Sequence, residues 1–332
     1  MAEYELKRIK NKANTLNQYN SKLMALALLS LLASIIYLFY SVDMKYFEYA
    51  MSLRAPKLVV MLLVAFCIGS ASMVFQSIIN TTIVTPCLLG MNALYGLIHT
   101  LLVFVLGSSS LLVRNANIAF LIDVSIMGVT ASFIYNYLFK KTKHNVLYIL
   151  LTGTIMATLF TSIQSSLVRI MDPNEYDSLL SSLFANFSNI NTGIIAISIL
   201  LMTAVLFTLR KELKLMDIIT LGKDQAVNLG VDYDKTIRKL LLGVVLFIAI
   251  ATAMVGPISF LGLIVANLSR QLFKTYRHQY LILGSALIGM VVLIGGQIIV
   301  EHIAAFSLPI SVFITIGGGI YFLYLLILER RI

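Results

Sequence analysis

The stretch Leu221-Gly222-Lys223-Asp224-Gln225-Ala226-Val227-Asn228-Leu229-Gly230-Val231 is polar, compatible with a helix and bracketed by glycines. Long hydrophobic runs flank it on both sides, so it interrupts a chain that is otherwise mostly apolar. When the largest inner loop of an integral membrane protein is a short helix pair, that loop is expected to bind another protein. The stretch therefore predicts a transport subunit driven by a partner, rather than a self-sufficient channel or carrier.

The composition indicates that lipid is the solvent for most of the 332 residues. Hydrophobic residues make up 59% of the chain, charged residues 12%, and the mean hydropathy is +0.92. Soluble domains carry about 25% charged residues, so a water-exposed surface of normal size cannot be formed. We expect the protein to be surrounded by membrane lipid, so we interpret the net charge of +10 as a topology signal. No nucleic acid partner is expected.

Hydrophobic runs of about 20 residues, the length that crosses a bilayer core, predict about ten spanning helices in one all-α domain, 1–332. Residues 1–21 are predicted to form a cytoplasmic N-terminal segment, which is retained because no small-residue cleavage site follows the first run. The predicted spans are 22–41, 57–78, 88–107, 118–138, 146–169, 192–209, 239–255, 257–272, 279–300 and 310–328.

Lysine and arginine are unevenly distributed, and this bias predicts the orientation. With the N-terminus inside, most basic residues fall on cytoplasmic segments. The opposite orientation would violate the positive-inside rule. We therefore expect both termini to be cytoplasmic. The inner basic residues outside 210–239 are then Lys7, Arg8, Lys10, Lys12, Lys22, Lys140, Lys141, Lys143, Arg270, Lys274, Arg277, Arg330 and Arg331.

Sequence patterns for enzymatic chemistry are missing. No G-x-x-x-x-G-K-[ST] occurs, so the chain cannot bind ATP through a P-loop of its own. The two cysteines, Cys67 and Cys87, are interpreted as small buried hydrophobes. We therefore expect no catalytic residue and no cofactor. We expect no metal site either, because the histidines show no metal-ligand spacing. These are His99, His144, His278 and His302.

Segment 210–239 is the candidate for receiving energy from a partner. Its expected shape is a helix, a hinge at Gly222 and a second helix. Asp217 can cap the first turn of one helix, and Gly230 can end it in a left-handed conformation. Ala226 is small enough for a partner to approach closely. The alternative from pattern alone is an ordinary solvated basic loop.

Two further groups of polar residues have open interpretations. Arg54 and Lys57 flank Pro56 before the second span, either as interfacial snorkelling residues or as docking points for acidic side chains of an external protein. The fifth span is rich in hydroxyl groups, which can bond to neighbouring helices or line a wet path.

Four segments, in this order and spacing, resemble the FecCD family, the permease subunits of ABC importers for iron–siderophore complexes, haem and cobalamin. The resemblance covers nearly the whole chain after the first span. The segments are Leu53-Arg54-Ala55-Pro56-Lys57 with Gly69, Gln76, Asn80, Pro86 and Leu88-Leu89-Gly90; Leu221 to Ala226 with Leu229-Gly230-Val231; Gly256-Pro257-Ile258-Ser259-Phe260-Leu261-Gly262-Leu263-Ile264; and Leu308-Pro309-Ile310-Ser311 with Gly317-Gly318.

The resemblance implies a type II importer permease fold that works as a dimer in a bacterial cytoplasmic membrane. A cytoplasmic ABC ATPase would bind the inner loop. An extracellular or periplasmic siderophore-binding (lipo)protein would dock on the outer face of the permease near Arg54 and Lys57. The translocation path would follow the dimer axis, which makes Thr161, Gln164 and Ser165 of the fifth helix its candidate lining. The residues implied to couple to the ATPase are Leu221, Gly222, Asp224, Ala226, Leu229 and Gly230.

Three departures from the family pattern carry information. Asn80-Thr81-Thr82-Ile83-Val84 replaces Asn-Pro-Leu-Ala, and Ala266-Asn267 replaces Pro-His. Gln297 and Glu301 replace an Asp and an Arg at the outer end of the ninth span. A negative charge at 301 would repel an acidic lobe, so docking at Glu301 cannot be simply symmetric. The pattern resembles the branch that pairs two different permease chains, which favours a heterodimer over a homodimer.

The sequence therefore predicts the membrane subunit of an ATP-driven importer for an iron–siderophore complex, with ATP hydrolysis in a separate subunit. A permease of the same family for haem or cobalamin is one alternative. An ion-coupled secondary carrier is an alternative of another class. Such a carrier would depend on Asp123, the only acidic residue within a predicted span, which has no obvious basic partner in the sequence.

Overall fold

A computed structural model describes residues 2–141, 146–185, 187, 191–303 and 308–329. The regular elements in this part of the chain are helical, as expected for the all-α class. A 3₁₀ turn (Met44–Tyr46) precedes α2, and a π-helical turn (Cys87–Met91) precedes α3. The helices are α1 (Ala2–Phe39), α2 (Phe47–Ile79), α3 (Asn92–Leu106), α4 (Leu111–Arg114), α5 (Ala116–Lys141), α6 (Val146–Ile170), α7 (Pro173–Leu183), α8 (Thr192–Lys214), α9 (Met216–Ile219), α10 (Lys223–Asn228), α11 (Tyr233–Val255), α12 (Leu261–Phe273), α13 (His278–His302) and α14 (Ile310–Glu329).

Within the described ranges, eight helices are long and apolar enough to cross a membrane. Two shorter apolar helices, α12 and the stretch Ile310–Leu325 of α14, occupy the eighth and tenth predicted spans. Each predicted span thus corresponds to an apolar helix. The remaining short helices lie in the connections between them.

Several helix limits differ from the sequence-based ones, for identifiable reasons. Helix α1 begins at Ala2, so the predicted N-terminal segment continues the first span as one helix. Helix α2 begins at Phe47 and contains Pro56, which forgoes one backbone hydrogen bond without ending the helix. Helix α12 begins only at Leu261, because Gly256 at φ +95° and Pro257 form a non-helical lead-in. Asp172 caps α7, since its side chain accepts from the Asn174 amide.

The centre of the bundle is formed by α2, α11 and α13, with α2 packed along both of the others. The crossing of α2 and α13 is close because both helices present small residues. A Cβ added at Gly69 would lie 2.9 Å from the Ser285 carbonyl oxygen, and the Ser285 hydroxyl donates to the Gly69 carbonyl at 3.0 Å. Small residues at such contacts let helix backbones approach, which stabilises helix pairs in lipid.

Of the three consecutive glycines of α14, Gly317 to Gly319, one packs closely against another part of the described chain. Gly318 packs against Phe260, because a Cβ there would lie 2.3 Å from the Phe260 Cβ atom. Gly317 and Gly319 would meet no atom within 4 Å. Close packing within the chain therefore explains Gly318 alone. Helix α14 otherwise exposes a row of large apolar side chains that includes Ile316 and Ile320.

Candidate functional site

Residues 215–231, named here the α9–α10 segment, connect the ends of α8 and α11 through two very short helices. Gly222 joins them at φ +101° and ψ 165°, a conformation essentially restricted to glycine. Gly230 ends α10 at φ +79°, as predicted. Its amide donates to the Val227 carbonyl and the Val231 amide donates to Ala226, the two bonds of a Schellman motif.

The α9–α10 segment exposes large aliphatic side chains. Leu221 is 53% exposed and Leu229 is 61% exposed, with Val227 exposed beside them. Ala226 is fully buried, in contrast to the expected contact between this residue and a partner. Its small side chain allows α10 to lie close to the rest of this chain. The exposed surface of the segment is therefore the aliphatic group, bordered by the exposed Asp224.

Three polar links hold the α9–α10 segment and the two helices that flank it in place. Glu212 at the end of α8 pairs with Lys239 on α11. Lys223 on α10 pairs with Asp234 at 2.9 Å, and this hydrogen bond and charge raise the pKa of Lys223. The third link is made by Asp217 of α9.

Asp217 bonds to a distant helix and does not cap its own. One carboxylate oxygen, Oδ1, accepts from the His278 backbone amide at 2.9 Å and lies 2.7 Å from the His278 Nδ1 atom. The expected capping of its own helix is therefore wrong, since the N-cap residue of α9 is Leu215, which makes no side-chain cap. Asp217 instead satisfies an amide at the N-terminus of α13, which favours an acidic group. The α9–α10 segment is thereby tied to a central helix.

At the opposite end of α13 lies a compact group of side chains, named here the Lys57–Glu301 cluster: Tyr37, Arg54, Lys57, Gln297 and Glu301. The Lys57 Nζ atom lies 3.6 Å from the Glu301 Oε1 atom. The Tyr37 hydroxyl and the Gln297 amide each donate to the same oxygen at 2.9 Å. The Arg54 Nη1 atom donates to the carbonyls of Tyr37, Leu38 and Tyr40 at the end of α1.

These contacts change the interpretation of the outer charges. The Glu301 side chain is only 7% exposed and faces Lys57, so the repulsion expected between it and an acidic lobe is largely neutralised. Arg54 and Lys57 both serve contacts within the chain, since they link α2 to α1 and α13.

Helix α6 carries the candidate path residues on a largely uncovered surface. Only 6% of the most apolar stretch of this helix, within Leu151–Ile170, is buried. Thr161 and Ser165 are exposed, and Gln164 packs against Gly96 of α3. The Thr161 hydroxyl donates to the carbonyl of Ala157 in its own helix. The same i−4 pattern holds for Thr158, Ser162 and Ser166. Among the described contacts, these hydroxyls do not link α6 to a neighbouring helix of this chain.

Asp123 has a basic partner, contrary to the sequence-based expectation. Its Oδ2 atom lies 2.8 Å from the Nδ1 atom of His99, and both side chains are buried between α3 and α5. The pairing was not visible from sequence because residues 99 and 123 belong to different helices. No cluster of three or more potential metal ligands occurs in the part of the chain that the structure describes.

Sequence reasoning missed the roles of His278 and Arg270. From sequence, His278 was treated only as one of four scattered histidines. In the structure its ring contacts the carboxylate of Asp217, which lies 61 positions earlier in the chain. Arg270 was interpreted as a topology signal, although it is partly buried and its Nη2 atom donates to the Ser77 hydroxyl at 2.9 Å. A polar residue at the end of an apolar helix was the available signal for both.

Membrane-crossing helices, close small-residue packing and a projecting pair of short helices define a polytopic membrane permease. The chain belongs to the FecCD transport family, whose model matches residues 18–328. This confirms the family and the transport role predicted from sequence.

Bacterial relatives match over most of their length. The petrobactin import system permease protein YclO of Bacillus subtilis is 39% identical over 89% of this chain and 93% of that protein. The petrobactin import system permease protein FatC of Bacillus anthracis is 31% identical, over 93% and 89%. The iron(3+)-hydroxamate import system permease protein FhuG of Bacillus subtilis is 30% identical, over 82% of each.

Solved structures share the fold. An inward-facing structure of a metal-chelate type ABC transporter matches with a TM-score of 0.77 and 22% identity, over 93% of this chain and 99% of that chain. PsaBC from Streptococcus pneumoniae matches with a TM-score of 0.60 and 16% identity, over 85% and 95%. At these identities the likeness concerns the fold, and it confirms the predicted permease architecture.

Proposed function

We propose that this chain is the membrane subunit of an ATP-driven importer that carries an iron–siderophore complex across a bacterial cytoplasmic membrane. The observation that carries the proposal is the α9–α10 segment, a firmly attached helix pair with exposed Leu221 and Leu229. Exposed aliphatic groups in an otherwise polar loop favour a protein partner. The cargo is inferred from relatives named for petrobactin and iron(3+)-hydroxamate import.

Energy would reach this chain mechanically from a cytoplasmic ABC ATPase seated on the α9–α10 segment. Motion of that segment has a physical route into the bundle, because Asp217 holds the first turn of α13. Helix α13 packs along α2, so a shift of its N-terminus displaces the centre of the bundle. Both chain termini would then lie on the cytoplasmic side, in agreement with the distribution of lysine and arginine.

A siderophore-binding (lipo)protein would dock at the other end of the bundle, around the Lys57–Glu301 cluster. Because Lys57 already faces Glu301, an acidic side chain of the binding protein would share this cation with an internal carboxylate. Such sharing would determine how the binding protein is aligned on the permease more than how tightly it binds. Arg54 would act indirectly, by holding the end of α1 in place.

A second, homologous permease chain would cover the exposed faces of α6 and α14. Ile155, Leu159 and Ile163 form an apolar row on α6, and Ile316 and Ile320 form another on α14. The hydroxyl row that includes Thr161 and Ser165 would then line the path beside this contact. We favour a heterodimer, on the basis of the unusual residues at 297 and 301.

The test is uptake by the complete importer in liposomes. The chain is reconstituted with its ATPase, binding protein and second permease, and uptake of ⁵⁵Fe-petrobactin is compared with that of haem and cobalamin. We expect ATP-dependent uptake of the iron–siderophore complex alone. Accumulation driven by an ion gradient without ATP would refute the proposal, and uptake of haem or cobalamin instead would reassign the cargo.

A further inference from the structure

A polar cavity of about 250 Å³ lies beside the C-terminal end of α2, at the same end of the bundle as the α9–α10 segment. Arg270 is the charged residue in its wall, and the other lining residues are neutral. The lining consists of Gln76, Asn80, Thr81, Thr82, Ile83 and Arg270. A cavity with one cation and neutral polar walls favours an anionic occupant.

Arg270 has unused hydrogen-bonding capacity. A guanidinium group has five N–H donors, and the hydrogen bond it makes within the described residues goes to the Ser77 hydroxyl at 2.9 Å. Its Nε atom is buried without an acceptor, and Arg270 takes part in none of the ion pairs found in the described ranges. Burying a cation without a counter-charge is costly, so an anion at this place would be stabilised.

The opposite wall of the cavity is held in a fixed shape. Helix α2 ends at Asn80 in the left-handed conformation, with φ +55°. The following turn is pinned because the Gln76 and Asn267 side-chain amides both donate to the Thr82 carbonyl, at 3.0 Å and 2.8 Å. The Thr81 hydroxyl oxygen accepts from the Ile83 amide, so its proton is available to a ligand. The donors around the cavity therefore need little rearrangement to bind.

We propose that this Arg270 cavity binds a single phosphate group, either free inorganic phosphate or the headgroup of a membrane lipid. The cavity is large enough for a phosphate group. The planar fork of arginine pairs with phosphate through two parallel bonds. Thr81 and Asn80 supply neutral donors on the other side. Occupancy would join the turn after α2 to α12.

The test measures thermal unfolding of the purified full chain in dodecyl maltoside, a detergent that has no phosphate. One arm adds sodium phosphate against sodium chloride of equal ionic strength, and the other adds dihexanoyl phosphatidylglycerol. At ten times the dissociation constant, bound phosphate should raise the Tm by about 2 °C. Arg270→Gln should abolish the rise. The matched control is Arg238→Gln, which removes an exposed arginine of α11 and should leave the rise unchanged.

The outcomes separate the two sources. A rise in the first arm assigns free phosphate, and a rise in the second arm alone assigns the lipid headgroup. A rise in neither arm, or an equal rise in Arg270→Gln, overturns the proposal. If Arg270→Gln does not fold, Arg270→Lys keeps the charge without the fork and should bind ³²P-phosphate at least several-fold more weakly in equilibrium dialysis. Undiminished binding by Arg270→Lys and Thr81→Val would likewise overturn it.

Discussion

Lys57 of α2 and Glu301 of α13 form an ion pair across two central helices, with 3.6 Å between Nζ and Oε1. The same Glu301 oxygen accepts from the Tyr37 hydroxyl of α1. Three helices thus meet at one carboxylate, at the end of the bundle where docking of a binding protein is proposed. Charge at this surface is therefore shared between internal structure and any external partner.

Breaking the Lys57–Glu301 pair should destabilise the fold. Lys57→Met and Glu301→Gln each leave one charge partly buried without its opposite, and we expect each to cost about 1–3 kcal/mol. The double variant should cost less than the sum of the two, with a coupling energy of about 1 kcal/mol. Thermal unfolding in detergent measures all three. Strict additivity would mean that the two side chains do not interact.

The two positive-φ glycines of the α9–α10 segment should respond differently to substitution. An added Cβ meets no atom within 4 Å at either Gly222 or Gly230, so the effects are conformational rather than steric. Gly230→Ala should cost about 1–2 kcal/mol, and Gly230→Asn less, because asparagine tolerates the left-handed region. At Gly222 both substitutions should cost about 1–3 kcal/mol, since that region suits only glycine.

Trypsin cleavage after the exposed Lys223 provides the readout for these glycine variants, because it reports opening of the α9–α10 segment. We expect faster cleavage in Gly222→Asn than in Gly230→Asn. Equal protection in both would show that the hinge conformation is not required.

The sequence predicted those parts of the fold that depend on local pattern. Apolar run length located the spans, and Gly230 marked the end of α10 because a left-handed C-terminal residue is a local requirement. Contacts between distant segments could not be predicted. Asp217 meets His278, and Asp123 meets His99, only after helices pack, so single-sequence reasoning assigned Asp217 a local cap and Asp123 no partner. The burial of Ala226 could not be predicted, because helical periodicity over six residues does not show which side faces inward.

The aliphatic surface of the α9–α10 segment should control assembly with the ATPase. Leu221→Asp and Leu229→Asp place charge where an apolar contact is proposed, and each should reduce co-purification of the ATPase by about tenfold or more, equivalent to about 1.4 kcal/mol. Asn228→Asp adds the same charge at a neighbouring exposed position and should stay within about twofold of wild type. A loss as large in Asn228→Asp would point to general electrostatics instead.

Asp217 should couple the α9–α10 segment to α13. Asp217→Ala leaves the His278 amide without its acceptor, which should cost about 1 kcal/mol. In the reconstituted importer we expect near-normal ATP hydrolysis but several-fold less cargo moved per ATP. Asp217→Asn retains an acceptor oxygen and should recover part of this ratio. The matched control is Asp177→Asn, which removes an exposed carboxylate of α7 outside the α9–α10 segment, and an equal loss in that variant would exclude a specific role for the Asp217–His278 contact.

The hydroxyl row of α6 should be accessible to water in the assembled importer. Cys67 and Cys87 are buried, so the wild-type protein should react little with a charged, membrane-impermeant maleimide and gives a clean background. Ser165→Cys and Thr161→Cys should react in the complete complex, because a wet path supplies both water and thiolate. Ile155→Cys, on the apolar row that we assign to the contact between permease chains, should react at least tenfold more slowly. The reverse order of reactivity would place the path elsewhere and turn the hydroxyl row toward lipid or a neighbouring helix.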